Sequence, residues 1–193
     1  MVILQGLFGG ITVLFFLPPP VSIIHGILAQ TFFMTTIVLA YGLSIERSKR
    51  TEISGPSGVK RGAVIMFGLV YVQLILGALM RHTASGMAIP DFPTMGSLWI
   101  PTFSETMIHN INSTLFDLDI DPVSRGQVII HFLHRLGAII VMGSIGLFGY
   151  KYGSFAKENK LVFAAMVSII GIVILQFSLG VITVLSERSP YIA

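Results

Sequence analysis

Five long runs of apolar residues, separated by short polar segments, dominate the pattern of this chain. They cover residues 1–17, 21–43, 62–81, 127–150 and 160–186. An α-helix rises about 1.5 Å per residue, so about 20 apolar residues cross the hydrocarbon core of a bilayer. The pattern therefore predicts an all-α protein, a polytopic transmembrane bundle with five helices in this chain. Three prolines at 18–20 predict a tight antiparallel hairpin of helices one and two, because proline disfavours helix in the residue before it.

Composition agrees with a membrane protein and excludes several functional classes. Hydrophobic residues make up 53% of the 193 residues and charged residues only 11%, which is far from the balance of a water-soluble domain. The absence of cysteine excludes disulfides, thiolate metal sites and cysteine nucleophiles. No Walker loop, zinc motif or catalytic triad occurs, so redox chemistry would need a bound cofactor.

The charged residues predict which loops face the cytoplasm. Most Lys and Arg residues lie in the segments 44–61 and 151–160, whereas the long loop 82–126 is mainly acidic. By the positive-inside rule, 44–61 and 151–159 are cytoplasmic and 82–126 faces outward. The N-terminus is then inside and the C-terminus outside. This clustering is a topology signal, and we expect no binding to nucleic acid.

One internal repeat indicates a duplicated architecture. Residues 4–14 (LQGLFGGITVL) and 175–185 (LQFSLGVITVL) share seven of eleven positions at an offset of 171. Repeats of this kind commonly relate two similar membrane bundles, so we expect four helices per half, with this chain covering the middle. Gln5, Gln73 and Gln176 are each followed four residues later by glycine. We interpret these glutamines as hydrogen-bond partners between helices, beside a small-residue contact.

Ionisable side chains at membrane depth are functional candidates, because burying them there costs free energy. His25 and His134 lie roughly 7 and 10 Å inside the outer ends of their predicted helices. Neutral imidazoles on facing helices are common axial ligands of a b-type heme. For His25, ligand and structural roles are equally compatible with the sequence. For His134 a ligand role is favoured, because the guanidinium of Arg135 next to it suits a propionate or a carboxylate.

Other polar residues near the predicted outer surface allow two interpretations each. His131 lies one turn before His134 and is either a support for that ligand or an interfacial histidine. Arg81 ends helix three as a snorkelling anchor or as a propionate contact. Asp91 lies among turn-forming residues and is either a cap residue or part of a proton path.

Several motifs resemble the heme A synthase family of cytochrome oxidase assembly. They are VQLILGALMRHTASGMAIPDFP at 72–93, HFLHR at 131–135, HGILAQ at 25–30 and the two repeat units. The resemblance implies eight transmembrane helices in two four-helix halves, each half with a histidine pair. Residues 1–43 would then supply the third and fourth helices of the N-terminal half, 44–61 the cytoplasmic linker, and 62–193 three helices of the C-terminal half with the outer loop 82–126.

The same resemblance implies site residues, cofactor and reaction. His134 would ligate heme b, with Arg135, His131 and Arg81 around the cofactor, and His25 would belong to the catalytic half that processes heme O. The activity implied is oxidation of a methyl group of heme O to the formyl of heme A, with oxygen from water and electrons passed to an acceptor. We expect a multi-pass protein of the bacterial inner membrane, with heme O synthase and oxidase assembly factors as candidate partners. The cysteine pairs of some members and the first-half Glu-x-x-His-Arg motif are absent from this chain.

The repeat leads us to expect a fragment without the first two and the last family helices. The offset of 171 places a counterpart of His25 about three residues beyond Ala193, and a counterpart of His134 upstream of Met1. The main alternative function is a non-catalytic diheme cytochrome b that carries electrons. A third is a transporter or assembly scaffold with incidental histidines, which predicts no heme.

Overall fold

A computed structural model describes residues 1–49 and 55–186 of the chain. In these ranges the helices are α1 (Val2–Leu14), α2 (Pro19–Gly42), α3 (Ile45–Lys49), α4 (Val59–His82), α5 (Glu105–Asp117), α6 (Arg125–Lys157) and α7 (Lys160–Leu185). Four of them, α2, α4, α6 and α7, are long and apolar enough to cross a membrane. The prediction of an all-α polytopic membrane protein is therefore confirmed.

All five predicted helices are present, but several of their ends differ. The first ends at Leu14 instead of residue 17, because Phe16 and Leu17 have positive φ angles of 55° and 59°. At 13 residues it is shorter than a membrane span. Pro19 starts α2 instead of preceding it, since the first turn of a helix needs no N–H donor from proline. The predicted cytoplasmic segment 151–159 is largely helical, because α6 continues to Lys157.

The chain divides into two compact units, 1–55 and 56–193. In the first, α1 packs against α2. In the second, α6 packs against both α4 and α7. The predicted linker 44–61 includes residues 50–54, and the predicted outer tail includes 187–193; both stretches lie outside the described residues.

The predicted outer loop is an ordered cap, which we define as residues 83–124. It contains α5, a helix that the hydropathy pattern did not reveal. Ser104 begins α5 by accepting a hydrogen bond from the N–H of Met107. One face of α5 then contributes to an apolar core that also includes residues of the loop and of α6. Its buried members are Ala88, Ile89, Met107, Ile108, Ile111, Leu115, Val123 and Val128.

Two further contacts connect parts of the cap to each other. Asn112 pairs with the main chain of Val123, donating to its carbonyl (3.1 Å) and accepting from its N–H (2.8 Å). Gly96 has φ 65°, and a Cβ there would lie 2.8 Å from the Met107 methyl carbon. Only glycine combines that backbone angle with so close an approach. The cap is thus a small folded layer between the ends of α4 and α6.

The charge pattern predicts opposite sides of the membrane for two exposed serines. Ser113 lies on α5 in the cap, and Ser57 lies just before α4. A cysteine introduced at Ser113 should react with a membrane-impermeant maleimide in intact cells, because loops poor in Lys and Arg face outward. A cysteine at Ser57 should react only after lysis. The reverse labelling would show that the orientation is wrong.

Candidate functional site

The first turn of α6 positions the histidines that follow it. Ser124 and Gln127 form a capping box, in which the serine oxygen accepts from the N–H of Gln127 and the glutamine oxygen accepts from the N–H of Ser124. Gln127 Nε2 also donates to the carbonyl of Thr83 (3.0 Å), directly after α4. The start of α6 is therefore fixed to the end of α4, and the next two turns of α6 carry His131, His134 and Arg135.

His134 lies in the interface between α6 and α4. Gln73 Nε2 donates to its main-chain carbonyl (3.0 Å) and lies 3.2 Å from its Nδ1. A Cβ at Gly77 would lie 3.4 Å from the ring Cε1, so the ring packs directly against α4 at this glycine. A Cβ at Gly137 would overlap Gln73 Oε1. Two glycines therefore allow the glutamine and the histidine to fit between the helices.

His25 has similar surroundings in the first unit. Gln5 Nε2 donates to the His25 carbonyl (3.4 Å), and a Cβ at Gly9 would lie 3.1 Å from the ring Cε1. His25 Nδ1 and Gln5 Oε1 are buried without a hydrogen-bond partner among the described residues, as is Gln73 Oε1. The predicted interhelical role is thus confirmed for Gln5 and Gln73. In the described part of α7, Gln176 is exposed and no atom lies within 4 Å of a Cβ placed on Gly180.

Arg135 binds the main chain of the cap. Its guanidinium donates from Nη1 to the carbonyls of Asp91 (2.7 Å) and Thr94 (3.2 Å), and from Nη2 to that of Ile89 (2.7 Å). Its Nε donates to His131 Nε2 (3.0 Å). Three of its five N–H groups thus bind carbonyls and a fourth faces the His131 ring, and the planar fork matches the three carbonyls. We call this set of contacts the Arg135 clamp.

His131 belongs to the same network and is only 3% exposed. Its Nδ1 lies 3.2 Å from the N–H of Ile89, opposite the Arg135 contact at Nε2. Both neighbours are donors, and a neutral imidazole accepts at one nitrogen at a time. The ring lies between Ile89 of the cap and Arg135, and it accepts a hydrogen bond from one of them at a time. Its expected cofactor contact stays a prediction.

Asp91 shapes the turn that presents carbonyls to Arg135. Its two carboxylate oxygens accept from the N–H groups of Gly96 (2.7 Å) and Ser97 (2.9 Å). Burial alone would raise the pKa of Asp91, but these bonds and one from the Thr94 side chain outweigh it and lower the pKa below the ordinary 3.8. Asp91 therefore stays ionised at neutral pH and stabilises the turn down to about pH 4. Of its two predicted roles, the geometry matches the cap residue.

Arg81 differs from Arg135 in its surroundings. It is exposed in the last turn of α4, and its side chain has no hydrogen-bond or ion-pair partner within the described ranges. Its guanidinium is accessible to an anionic group, whereas that of Arg135 is mostly committed to the protein.

The sequence indicated which polar residues belong to the site, but not the main-chain groups to which they bind. It did not predict that Ile89, Asp91 and Thr94 bind Arg135, because main-chain carbonyls have no residue-specific signal. The helix α5 had a signal, since Met107, Ile111 and Leu115 recur every four residues after the capping Ser104.

The Arg135 clamp predicts a large loss of stability on Arg135→Leu. The change leaves three cap carbonyls without their donor, at a cost of about 1–3 kcal/mol for each buried group. Arg135→Lys should recover only part of this, because one ammonium cannot reproduce the fork. Thermal unfolding in detergent and proteolysis of the cap would measure both variants.

Arg125→Leu is the matched control on the same helix. Arg125 forms an ion pair with Glu105, but the two side chains are 51% and 88% exposed. Loss of an exposed pair costs about 0–1 kcal/mol. Equal stability of the Arg135→Leu and Arg125→Leu proteins would contradict the clamp.

Comparison with known proteins places this chain in a family. Residues 1–193 match the family described as cytochrome oxidase assembly protein. Heme A synthase of Halalkalibacterium halodurans is 25% identical over 196 residues, covering 100% of this chain and 58% of the relative. Heme A synthase of Rickettsia bellii is 32% identical over 128 residues, covering 64% of this chain and 33% of the relative. The chain thus spans about three fifths or less of these relatives, and it belongs to the cytochrome oxidase assembly protein family.

Proposed function

We propose that this chain is part of a heme A synthase, an oxidoreductase that converts a methyl group of heme O to the formyl of heme A during cytochrome oxidase biogenesis. The observation that carries the proposal is the placement of a histidine ring against a glycine of a neighbouring helix in each unit, at Gly9 and Gly77. The chain in which this occurs is matched over its full length by a protein named heme A synthase.

The histidine surroundings fit a heme ligand. A ligating histidine must be neutral and oriented, and its second ring nitrogen needs a fixed partner. His25 and His134 each lie between two apolar helices, with the ring against a glycine of the neighbouring helix. The buried Gln5 Oε1 and Gln73 Oε1 supply acceptors that no described residue uses. We therefore assign His134 to the iron of heme b and His25 to the site that receives heme O.

The remaining residues have separate tasks in this proposal. Bound heme b would supply the electron-transfer chemistry. Arg81 is the better candidate for a propionate, because its side chain is exposed and unpaired within the described residues. Arg135 and His131 would act indirectly, by fixing the cap near the mouth of the bundle. Water would provide the formyl oxygen, and electrons would leave to an acceptor.

The setting follows from the same proposal. The protein would lie in the bacterial inner membrane with the cap on the outer side. Heme O synthase, as the source of the substrate, and oxidase assembly factors would be its candidate partners.

Heme extraction after co-expression with heme O synthase tests the reaction. The protein expressed from its complete reading frame should yield heme A, identified by the formyl group in its mass and pyridine hemochrome spectrum. Heme B alone would favour the diheme cytochrome b, because an electron carrier does not modify the macrocycle. A preparation without heme absorbance would contradict both and favour a transporter or scaffold.

His134→Ala tests the ligand assignment. In the complete protein it should abolish or reshape the reduced-minus-oxidised heme b spectrum, because an axial nitrogen is lost. His131→Ala should change the spectrum less, since that ring contacts Ile89 and Arg135. An unchanged spectrum in His134→Ala would show that His134 is not a ligand.

A further inference from the structure

The cap exposes three consecutive apolar residues, 98–100, which we define as the cap tip. Leu98, Trp99 and Ile100 are 40%, 73% and 78% exposed. Trp99 is also the one tryptophan of this chain. Single exposed apolar residues are normal on a protein, but adjacent ones that include a tryptophan commonly mark a contact with a membrane or another protein. The position and the chemistry of the cap tip indicate which of these it contacts.

A tight turn fixes the chain just before the cap tip. Met95 and Leu98 pair as an isolated antiparallel bridge, with main-chain hydrogen bonds in both directions (2.7 and 3.4 Å). Gly96 and Ser97 between them both have φ of 65°, as in the hairpin turn whose two central residues are left-handed. The carboxylate of Asp91 accepts hydrogen bonds from the N–H groups of both. The turn is therefore fixed by its main chain and by one side chain.

The chain returns to the interior directly after the cap tip. Pro101 is buried. Phe103 then packs edge-to-face on Phe132 of α6, with the ring centroids 5.5 Å apart. Trp99 and Ile100 thus lie between two fixed points of the fold. Their exposure is a feature of an ordered segment, and the side chains are held in place for a contact.

The turn also brings the cap tip back beside residues that bind a membrane helix. Because Met95 and Leu98 lie opposite each other in antiparallel order, the next residue, Trp99, lies beside Thr94. The Thr94 carbonyl accepts a hydrogen bond from Arg135 of α6 (3.2 Å). The cap tip is therefore close to the membrane-spanning part of the second unit.

The helix α7 gives the level of this part of the cap in the membrane. Phe92 packs edge-to-face on Phe177 of α7, with the ring centroids 6.4 Å apart. Phe177 lies roughly 25 Å along the helix axis from Lys160, the first residue of α7. The hydrocarbon core is about 30 Å thick, so with Lys160 at one surface Phe177 lies just inside the other. The adjoining cap tip is thus near the boundary between hydrocarbon and headgroups.

Charge distinguishes the cap tip from the rest of the cap. No Asp, Glu, Lys, Arg or His occurs from residue 92 to residue 104. The end of α5, by contrast, exposes Phe116 beside the acidic residues Asp117, Asp119 and Asp121. Tryptophan is enriched at membrane surfaces, because its ring is apolar while its N–H stays hydrated, and charged groups enter the bilayer only at a cost. The uncharged segment therefore matches a lipid surface, and the end of α5 matches water.

We propose that the cap tip is a membrane anchor that inserts Trp99 and Ile100 into the adjacent leaflet, at the boundary between headgroups and acyl chains. Interfacial segments reach about 5–10 Å into this boundary. The Arg135 clamp then holds the cap to α6, and the cap tip holds it to the lipid. Neither contact involves heme, so the anchor is independent of the proposed function.

Fluorescence of Trp99 tests the anchor in the complete protein, reconstituted in phosphatidylcholine nanodiscs. Subtraction of the Trp99→Phe spectrum isolates the signal of this residue. The signal should have a blue-shifted maximum and should be quenched by phosphatidylcholine brominated on its acyl chains, but only weakly by aqueous iodide. Quenching by iodide alone would place the cap tip in water and overturn the anchor. Quenching by neither would show that protein covers the cap tip, and would also overturn it.

Phe116 provides a matched control, because its side chain is 83% exposed in the same cap. A tryptophan placed there, by Phe116→Trp in the Trp99→Phe protein, should be quenched by iodide rather than by brominated lipid. Equal quenching by brominated lipid at both positions would show that the whole cap contacts the membrane. That result would overturn the cap tip as the specific anchor.

A charge at the cap tip should remove the lipid contact without unfolding the cap. Ile100→Asp changes a side chain that is 78% exposed, so the fold should tolerate it. The variant should shift the Trp99 emission to longer wavelength and lose most of the quenching by brominated lipid, because a carboxylate avoids the hydrocarbon boundary. Phe116→Asp should leave both signals unchanged. Full quenching by brominated lipid in Ile100→Asp would show that the cap tip does not hold the cap to the membrane.

Discussion

Close approach between membrane helices at glycine is the constraint on which the rest of this structure depends. The imidazole rings of His25 and His134 lie against Gly9 and Gly77, where an added Cβ would be 3.1 and 3.4 Å from the ring Cε1. Within a bilayer, small residues bring helices together, because lipid removes most of the hydrophobic drive for association. The glutamine one turn earlier then supplies the polar contact that fixes the pair in register.

The cap depends on a second polar interaction of a different kind. Arg135 lies on a membrane helix, where an unpaired charge is costly. It meets that cost by donating to three cap carbonyls, which themselves need donors because the loop has no regular hydrogen-bonding partner there. The guanidinium and the cap carbonyls thus satisfy each other's hydrogen-bonding groups. Asp91 takes part in both the turn and the clamp. Its carboxylate accepts a hydrogen bond within the turn, and its main-chain carbonyl accepts one from the guanidinium.

The sequence predicted the membrane helices because length and hydropathy determine them directly. It predicted their ends less well, since Phe16 and Leu17 are apolar yet adopt positive φ, and the charged residues after 150 remain helical to Lys157. It also indicated that Gln5 and Gln73 bond between helices. It could not show that Arg135 binds main-chain oxygens, because any residue at 89, 91 and 94 offers the same carbonyl. The ligand roles of His25 and His134 remain predictions.

Neighbouring positions on α6 face different surroundings. Different residues therefore determine the stability of the cap and the proposed ligand chemistry. Successive residues of a helix are rotated by about 100°, so the i and i+4 pair His131 and Arg135 shares one face while His134 is turned away from Arg135. The first pair contacts the cap, and His134 contacts Gln73 on α4. Changes at Arg135 should therefore act first on the order of the cap. Changes at Gln73 should act first on the histidine ring, although Gln73 contacts the same two turns of α6 on which Arg135 lies.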